Sequence, residues 1–293
     1  MHRKTVSCAV LLAVALTAVP VFAAHSWSTY HWRRTSAQVA PAVVMNIGSA
    51  WQPYAQRVMD DWNASTVIQS PWSYGAISSR SSCTSTTGKI EVCNAAYGQV
   101  GWLGIAGISL SSGHIVRGYT KLNDTYYASA TYNTPAWRRM VFCQEVGHDY
   151  GLGHVNETFT DLNTGSCMDY TNDPSGTKGT NGTLSNEYPN SHDYSQLLVQ
   201  YNHTDPAATS LPFDEMVKDS TRPETLGEIL SKAGQWGEPI AWDGEGRPTT
   251  FFLKTGPNHG GSHGVITDGE IIDVFWAPVD PFEREIEKGG RRK

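Results

Sequence analysis

Charge is scarce in this chain. Asp, Glu, Lys and Arg make up 17% of its 293 residues, against about 25% in an average soluble protein. What charge there is leans acidic, 22 basic side chains against 28 acidic ones for a formal net charge of −6. No basic footprint exists for nucleic acid or for an anionic lipid surface. Long apolar runs are missing after the first two dozen residues, so nothing later reaches the roughly 20 residues of a membrane-spanning helix. Cysteine is sparse as well, five in all. Aromatic residues are not scarce: Trp 10, Tyr 13 and Phe 8 supply 11% of the chain, enough to build a core and to exclude wholesale disorder.

The first residues read as an export signal. Arg3 and Lys4 precede an apolar run from Val6 to Val19, and Val21-Phe22-Ala23 resembles a signal-peptidase site. Residues 1–23 are therefore expected to be removed, with a main domain over 24–205 and a C-terminal accessory segment or small domain over 206–293. The destination is extracellular. Export leaves Cys83, Cys93, Cys143 and Cys167, an even number in an oxidising compartment. Four cysteines allow three connectivities, and the local pairs Cys83–Cys93 and Cys143–Cys167 are favoured. A four-thiolate zinc site is the competing use, but no Cys-x-x-Cys spacing supports it. Five sequons, at Asn63, Asn123, Asn156, Asn181 and Asn202, matter only in a host that glycosylates.

Periodicity orders the middle of the chain. Residues 38–46 are rich in Val and Ala and predict a first strand, with Pro41 making it an edge or an entry. Trp51, Tyr54, Ala55, Val58, Met59 and Trp62 fall on one face of a helix. Residues 89–93 alternate as a strand. Residues 102–110 and 114–121 flank Ser111-Ser112-Gly113 and predict a hairpin. Pro135 opens a helix running towards Tyr150, residues 171–190 form a long polar loop, and 193–201 predict another helix with Ser191 as its cap. Beyond Asp205-Pro206 come a helical stretch at 226–233, strand-like pieces at 249–254 and 270–276, and a mixed-charge tail from 283.

Chemistry concentrates in residues 144–170. The segment Gln144-Glu145-Val146-Gly147-His148-Asp149-Tyr150-Gly151-Leu152-Gly153-His154 reads as a helix that stops at a glycine. Gln144 and His148 are one turn apart on one face, and Glu145 is one step round. Gly151 can adopt positive φ, which turns the chain back and lets His154 approach His148. Ser166-Cys167-Met168-Asp169-Tyr170 follows after a loop. His31, His114, His192, His203, His259 and His263 have no such neighbours in sequence and read as structural or solvated.

The segment resembles the metzincin zinc-peptidase signature H-E-x-x-H-x-x-G-x-x-H with its later Met-turn. Glu145, His148, Gly151 and His154 match, Gln144 stands at the first ligand position, and Met168 with Tyr170 two residues later resembles the turn of astacin-like and serralysin-like members. The resemblance spans roughly residues 27–203. It implies an α+β, zincin-like fold with a mixed twisted sheet, an active-site helix and a Met-turn. It also implies Zn2+ as cofactor and endopeptidase activity on a peptide or protein substrate.

On that resemblance, His148, His154 and the amide oxygen of Gln144 are the expected metal ligands. Glu145 is the expected general base, Met168 a floor beneath the metal, and Tyr170 a further ligand or an oxyanion donor. A peptide would add to the strand near 102–110. Because Gln144 is a neutral, weak ligand, an inactive protein- or peptide-binding module on the same frame is the alternative. A monomer, with no nucleic acid and no stable membrane insertion, completes the expectation. Export of the full chain should yield a protein beginning at Ala24, read by N-terminal sequencing; a secreted product retaining residues 1–23 would contradict the reading.

Overall fold

A computed structural model describes residues 25–76, 80–206, 237–254 and 269–278. The expected signal sequence, the helical stretch at 226–233, His259, His263 and the tail from 283 lie outside the described residues. The elements run β1 (His31–Trp32), β2 (Ala42–Asn46), α1 (Gln52–Asn63), β3 (Trp72–Tyr74), β4 (Lys89–Ala95), β5 (Trp102–Ser111) and β6 (His114–Asn123). There follow α2 (Asp124–Tyr127), α3 (Pro135–Asp149), α4 (Ser191–Gln200), β7 (Glu238–Trp242), β8 (Pro248–Lys254) and β9 (Gly269–Trp276). The class is α+β, with one mixed nine-stranded sheet in the order β3-β2-β4-β6-β5-β9-β8-β7 and β1 on β6.

One half of the sheet is parallel and the other antiparallel. β3, β2, β4 and β6 run in the same direction; β4 and β6 are buried over most of their length, as strands covered on both faces are, while β3 is largely exposed. Pro41 stands immediately before β2, which lies between β3 and β4; the proline marks the way into the strand, not an edge. β5 and β6 form the expected hairpin, turned by Ser112 and Gly113, both at positive φ. β9 then pairs antiparallel with β5 from Trp102↔Trp276 to Leu110↔Gly269. The edge of β5 expected to receive a substrate is thus already taken, and β8 and β7 extend the sheet beyond it.

Helix α3 lies at the centre. Thr134 caps it by accepting from Trp137 N, and Pro135 occupies the first turn, where no intrahelical donor is needed. Every residue from Met140 to Asp149 is buried. Its partner α1 buries Ala55, Val58, Met59 and Trp62, and the Trp62 indole donates to the Cys143 carbonyl at 3.1 Å. Two disulfides, Cys83–Cys93 and Cys143–Cys167, form as the favoured pairing had them. The second closes a 24-residue separation, a constraint worth about 3 kcal/mol in chain entropy, and joins α3 to the loop carrying Met168.

Helix α4 starts at Ser191, and its cap lies one residue earlier than expected. Asn190, not Ser191, is the N-cap, and with Asp193 it forms a reciprocal capping box. The 171–190 region has no helix or strand; buried amides tie it down, with Asn163 donating to the Asp173 and Leu184 carbonyls and Asn181 to Phe159 and Asp161. Asn123 and Asn181 are buried, so two of the five sequons are closed to glycosylation in the folded chain. Among the described residues no helix is long and apolar enough to cross a membrane.

Gly147 carries a test of the packing beneath α3. A Cβ there would stand 2.5 Å from Met168 Sδ and 2.6 Å from the Trp62 ring. Gly147→Ala should lower unfolding stability by about 1–3 kcal/mol through overpacking, measured by urea denaturation; an unchanged midpoint would contradict this arrangement.

Candidate metal centre

His148 occupies the last turn of α3, and the chain reverses directly after it. Gly151, at φ 89°, donates its N–H to the His148 carbonyl at 2.8 Å, while Leu152 N reaches Gly147 O at 3.3 Å. A side chain at 151 would meet the Tyr30 carbonyl, so glycine is required there on both counts. The reversal brings the His154 ring to 4.7 Å from the His148 ring, nearly perpendicular to it.

The orientation of each imidazole is held from behind. His148 Nδ1 donates to the Leu152 carbonyl at 2.8 Å, and His154 Nδ1 to the Glu157 carboxylate at 2.9 Å. Since both partners only accept, each Nδ1 carries a proton, and in the neutral ring Nε2 presents a lone pair forward. Trp27 stacks on the His148 ring, 5.0 Å between centroids and 5° from parallel.

What lies in front of the two Nε2 atoms is a residue from the far end of the chain. Asp273 Oδ1, on β9, is 3.5 Å from His148 Nε2 and 3.3 Å from His154 Nε2. Its other oxygen accepts from Thr250 Oγ1 of β8 at 2.7 Å. All three facing atoms are buried and lack a well-aligned hydrogen bond among the described residues. Ligands about 2.0–2.1 Å from a tetrahedral zinc are separated from one another by about 3.3 Å, and the Asp273 contacts match that edge. The three side chains form a group able to hold a metal ion.

Glu145 is buried beside this group, its carboxylate over Gly104 of β5. Burial, reinforced by the charge of Asp273, drives its pKa well above the ordinary carboxylate value. Burial lowers His148 to about 4. At His154 burial also opposes charge, but Asp273 and Glu157 outweigh it and raise the group to about 10. Burial works against the Asp273 carboxylate too, yet the two histidines bring its pKa below the usual value.

The remaining expected residues surround this centre. Gln144 is fully buried, and neither atom of its amide finds a hydrogen-bond partner among the described residues. Met168 lies under α3 against Gly147. The Tyr170 ring packs 4.4 Å from His154, but its hydroxyl donates to the Val274 carbonyl at 3.2 Å, so in this form the phenol holds β9.

Asp273, Glu157 and Trp27 are the contributors that motif reading missed. Only Asp273 left a trace in the sequence. Within Gly269–Trp276 it falls in register with Ile271 and Phe275, which belong to the main core, while Ile272, Val274 and Trp276 pack on the opposite face. A lone carboxylate on an apolar strand face needs a partner.

No protein-family model matches the chain, and no curated protein matches it. The centre therefore stands on its own geometry. Glu157→Ala should weaken cation binding at this centre about 10–100-fold by releasing the His154 ring, measured by competition with a chromogenic chelator. Unchanged affinity would deny Glu157 its orienting role.

Proposed function

We propose that this chain is a secreted, metzincin-like zinc endopeptidase, and that the described form is its closed state. The observation that carries the reading is the convergence of His148 Nε2 and His154 Nε2 on one carboxylate oxygen, in a buried site beside Glu145. Two imidazole nitrogens around one buried carboxylate oxygen need a positive charge among them, a proton on His154 or a metal ion in its place. The donor set suits zinc, which takes imidazole nitrogen and carboxylate oxygen. His148 and His154 would hold the ion with the Gln144 amide oxygen, one helical turn before His148, whose lack of a partner supports that role. Bound zinc would supply a water of lowered pKa and polarise the scissile carbonyl.

The protein's own groups do the rest. Glu145 takes a proton on its carboxylate and returns it to the leaving amine, a task served by a carboxylate whose pKa burial has raised. β5 offers backbone donors and acceptors to an extended peptide, which would lie where β9 now lies. β9 thus imitates a substrate strand, and Asp273 stands at the position the attacking water and substrate carbonyl need. Export and the two disulfides belong together, since disulfides persist in oxidising compartments.

Casein cleavage by the zinc-loaded full chain tests both halves. Asp273→Ala should keep zinc and raise cleavage at least about tenfold, and adding Glu145→Gln should then remove about 10²–10⁴-fold of it without loss of metal. If Asp273→Ala loses the metal, Asp273 is an obligatory ligand and the blocking role is wrong. If neither form cleaves with zinc retained, the peptidase reading falls and a peptide-binding module remains.

A further inference from the structure

A second group of imidazoles is built from three segments far apart in sequence. His31 comes from β1, His114 from the start of β6, and His203 with Asp205 from the chain just after α4. Pairing of β1 with β6 places His31 directly beside His114. His31 Nε2 is 3.0 Å from His203 Nε2 and 3.3 Å from Asp205 Oδ2. Asp205 Oδ1 is 3.2 Å from His114 Nε2 and 3.3 Å from His203 Nε2.

The rings are oriented as metal ligands are. His31 Nδ1 donates to the Thr29 carbonyl at 2.6 Å, and His114 Nδ1 lies 3.1 Å from the Ser112 carbonyl, nearer than the Arg33 guanidinium at 3.3 Å. With each Nδ1 beside a carbonyl, Nε2 is the ring nitrogen turned towards the Asp205 carboxylate; that of His31 hydrogen-bonds Oδ2 at 3.3 Å, and an ion would take the place of that proton. His114 Nε2 is buried and makes no well-aligned hydrogen bond among the described residues. Asp205 Oδ2 accepts from Arg34 N at 2.7 Å, which fixes the carboxylate.

These contacts, 3.0–3.3 Å, again match the edge of about 3.3 Å expected around a tetrahedral zinc. His31, His203 and Asp205 form a group able to hold a metal ion, and His114 meets the same carboxylate from the start of β6. His203, about half exposed at 48% of its side chain, leaves a route for the ion. A contrasting cluster, His25–His192–Asp193, has its carboxylate already satisfied by Ser166 and Asn190 N, so it reads as a hydrogen-bond hub.

We propose that His31, His203 and Asp205, with His114 on the same carboxylate as a fourth donor, form a second, structural site for zinc or a similar first-row divalent cation. The ion would fasten β1 and the β5–β6 hairpin to the chain leaving α4, close to where residues 24–205 give way to the C-terminal segment. The site is independent of the peptidase reading, because its ligands touch none of the groups at His148 and His154.

The test compares full-length wild type with His203→Ala, both stripped by chelator, reloaded with zinc, gel-filtered and assayed for bound metal by mass spectrometry. His203→Ala should carry one equivalent fewer than wild type. Its melting temperature should gain less from added zinc, and the cobalt-substituted protein should lose tetrahedral visible absorption. Asp205→Asn, which preserves shape, serves if the first variant fails to fold. Equal metal content and an equal thermal response in wild type and variant would overturn the proposal. The count is a difference between two proteins, so it stands whether or not the other centre binds zinc.

Discussion

Two imidazole nitrogens facing one carboxylate oxygen in a site closed to water is the constraint from which the rest follows. Such an arrangement is costly unless positive charge sits between the groups. At His148, His154 and Asp273 the surrounding chain holds the geometry firmly. The Leu152 carbonyl and Glu157 fix the rings, Thr250 fixes the carboxylate, and Trp27 covers one imidazole. Disulfide Cys143–Cys167 ties the helix to the loop beneath it. So many supports on so few atoms mark a site in which position matters more than local stability.

The sheet explains how Asp273 reaches this point. An exposed β5 would present a row of unpaired backbone groups next to a buried carboxylate, an edge open to any extended chain. β9 fills that edge along its length, and β8 and β7 continue the sheet outward. The face of β9 carrying Ile271, Asp273 and Phe275 turns to α3, and the opposite face joins a second apolar cluster around Trp102 and Phe251. The strand is therefore part of the fold and part of the site at once, which is how one segment can complete a core and close a cleft.

Much of this was legible in the sequence because local rules govern it. The 3.6-residue spacing of Trp51 to Trp62, the proline start of α3, the Ser-Gly turn of the hairpin and the glycine at 151 each act over a few residues. The short-range disulfides belong to the same class. The long-range partners were not legible. Nothing near His154 announces that Asp273 will face it from 119 positions away, and His31, His114, His203 and Asp205 look like scattered residues until β1 lies along β6. The covering of β5 was not legible for the same reason: a hairpin strand looks free until the strand that pairs with it is placed.

The central claim is that the chain's own C-terminal strand delivers a carboxylate to a cation held by α3. A crystal structure of the zinc-loaded full chain, with anomalous data at the zinc edge, tests it most directly. The account predicts a peak bonded to His148 Nε2, His154 Nε2 and an Asp273 oxygen, with β9 still paired to β5. A fully loaded protein with no peak between the two histidines, or with a peak there and Asp273 turned away, would contradict it.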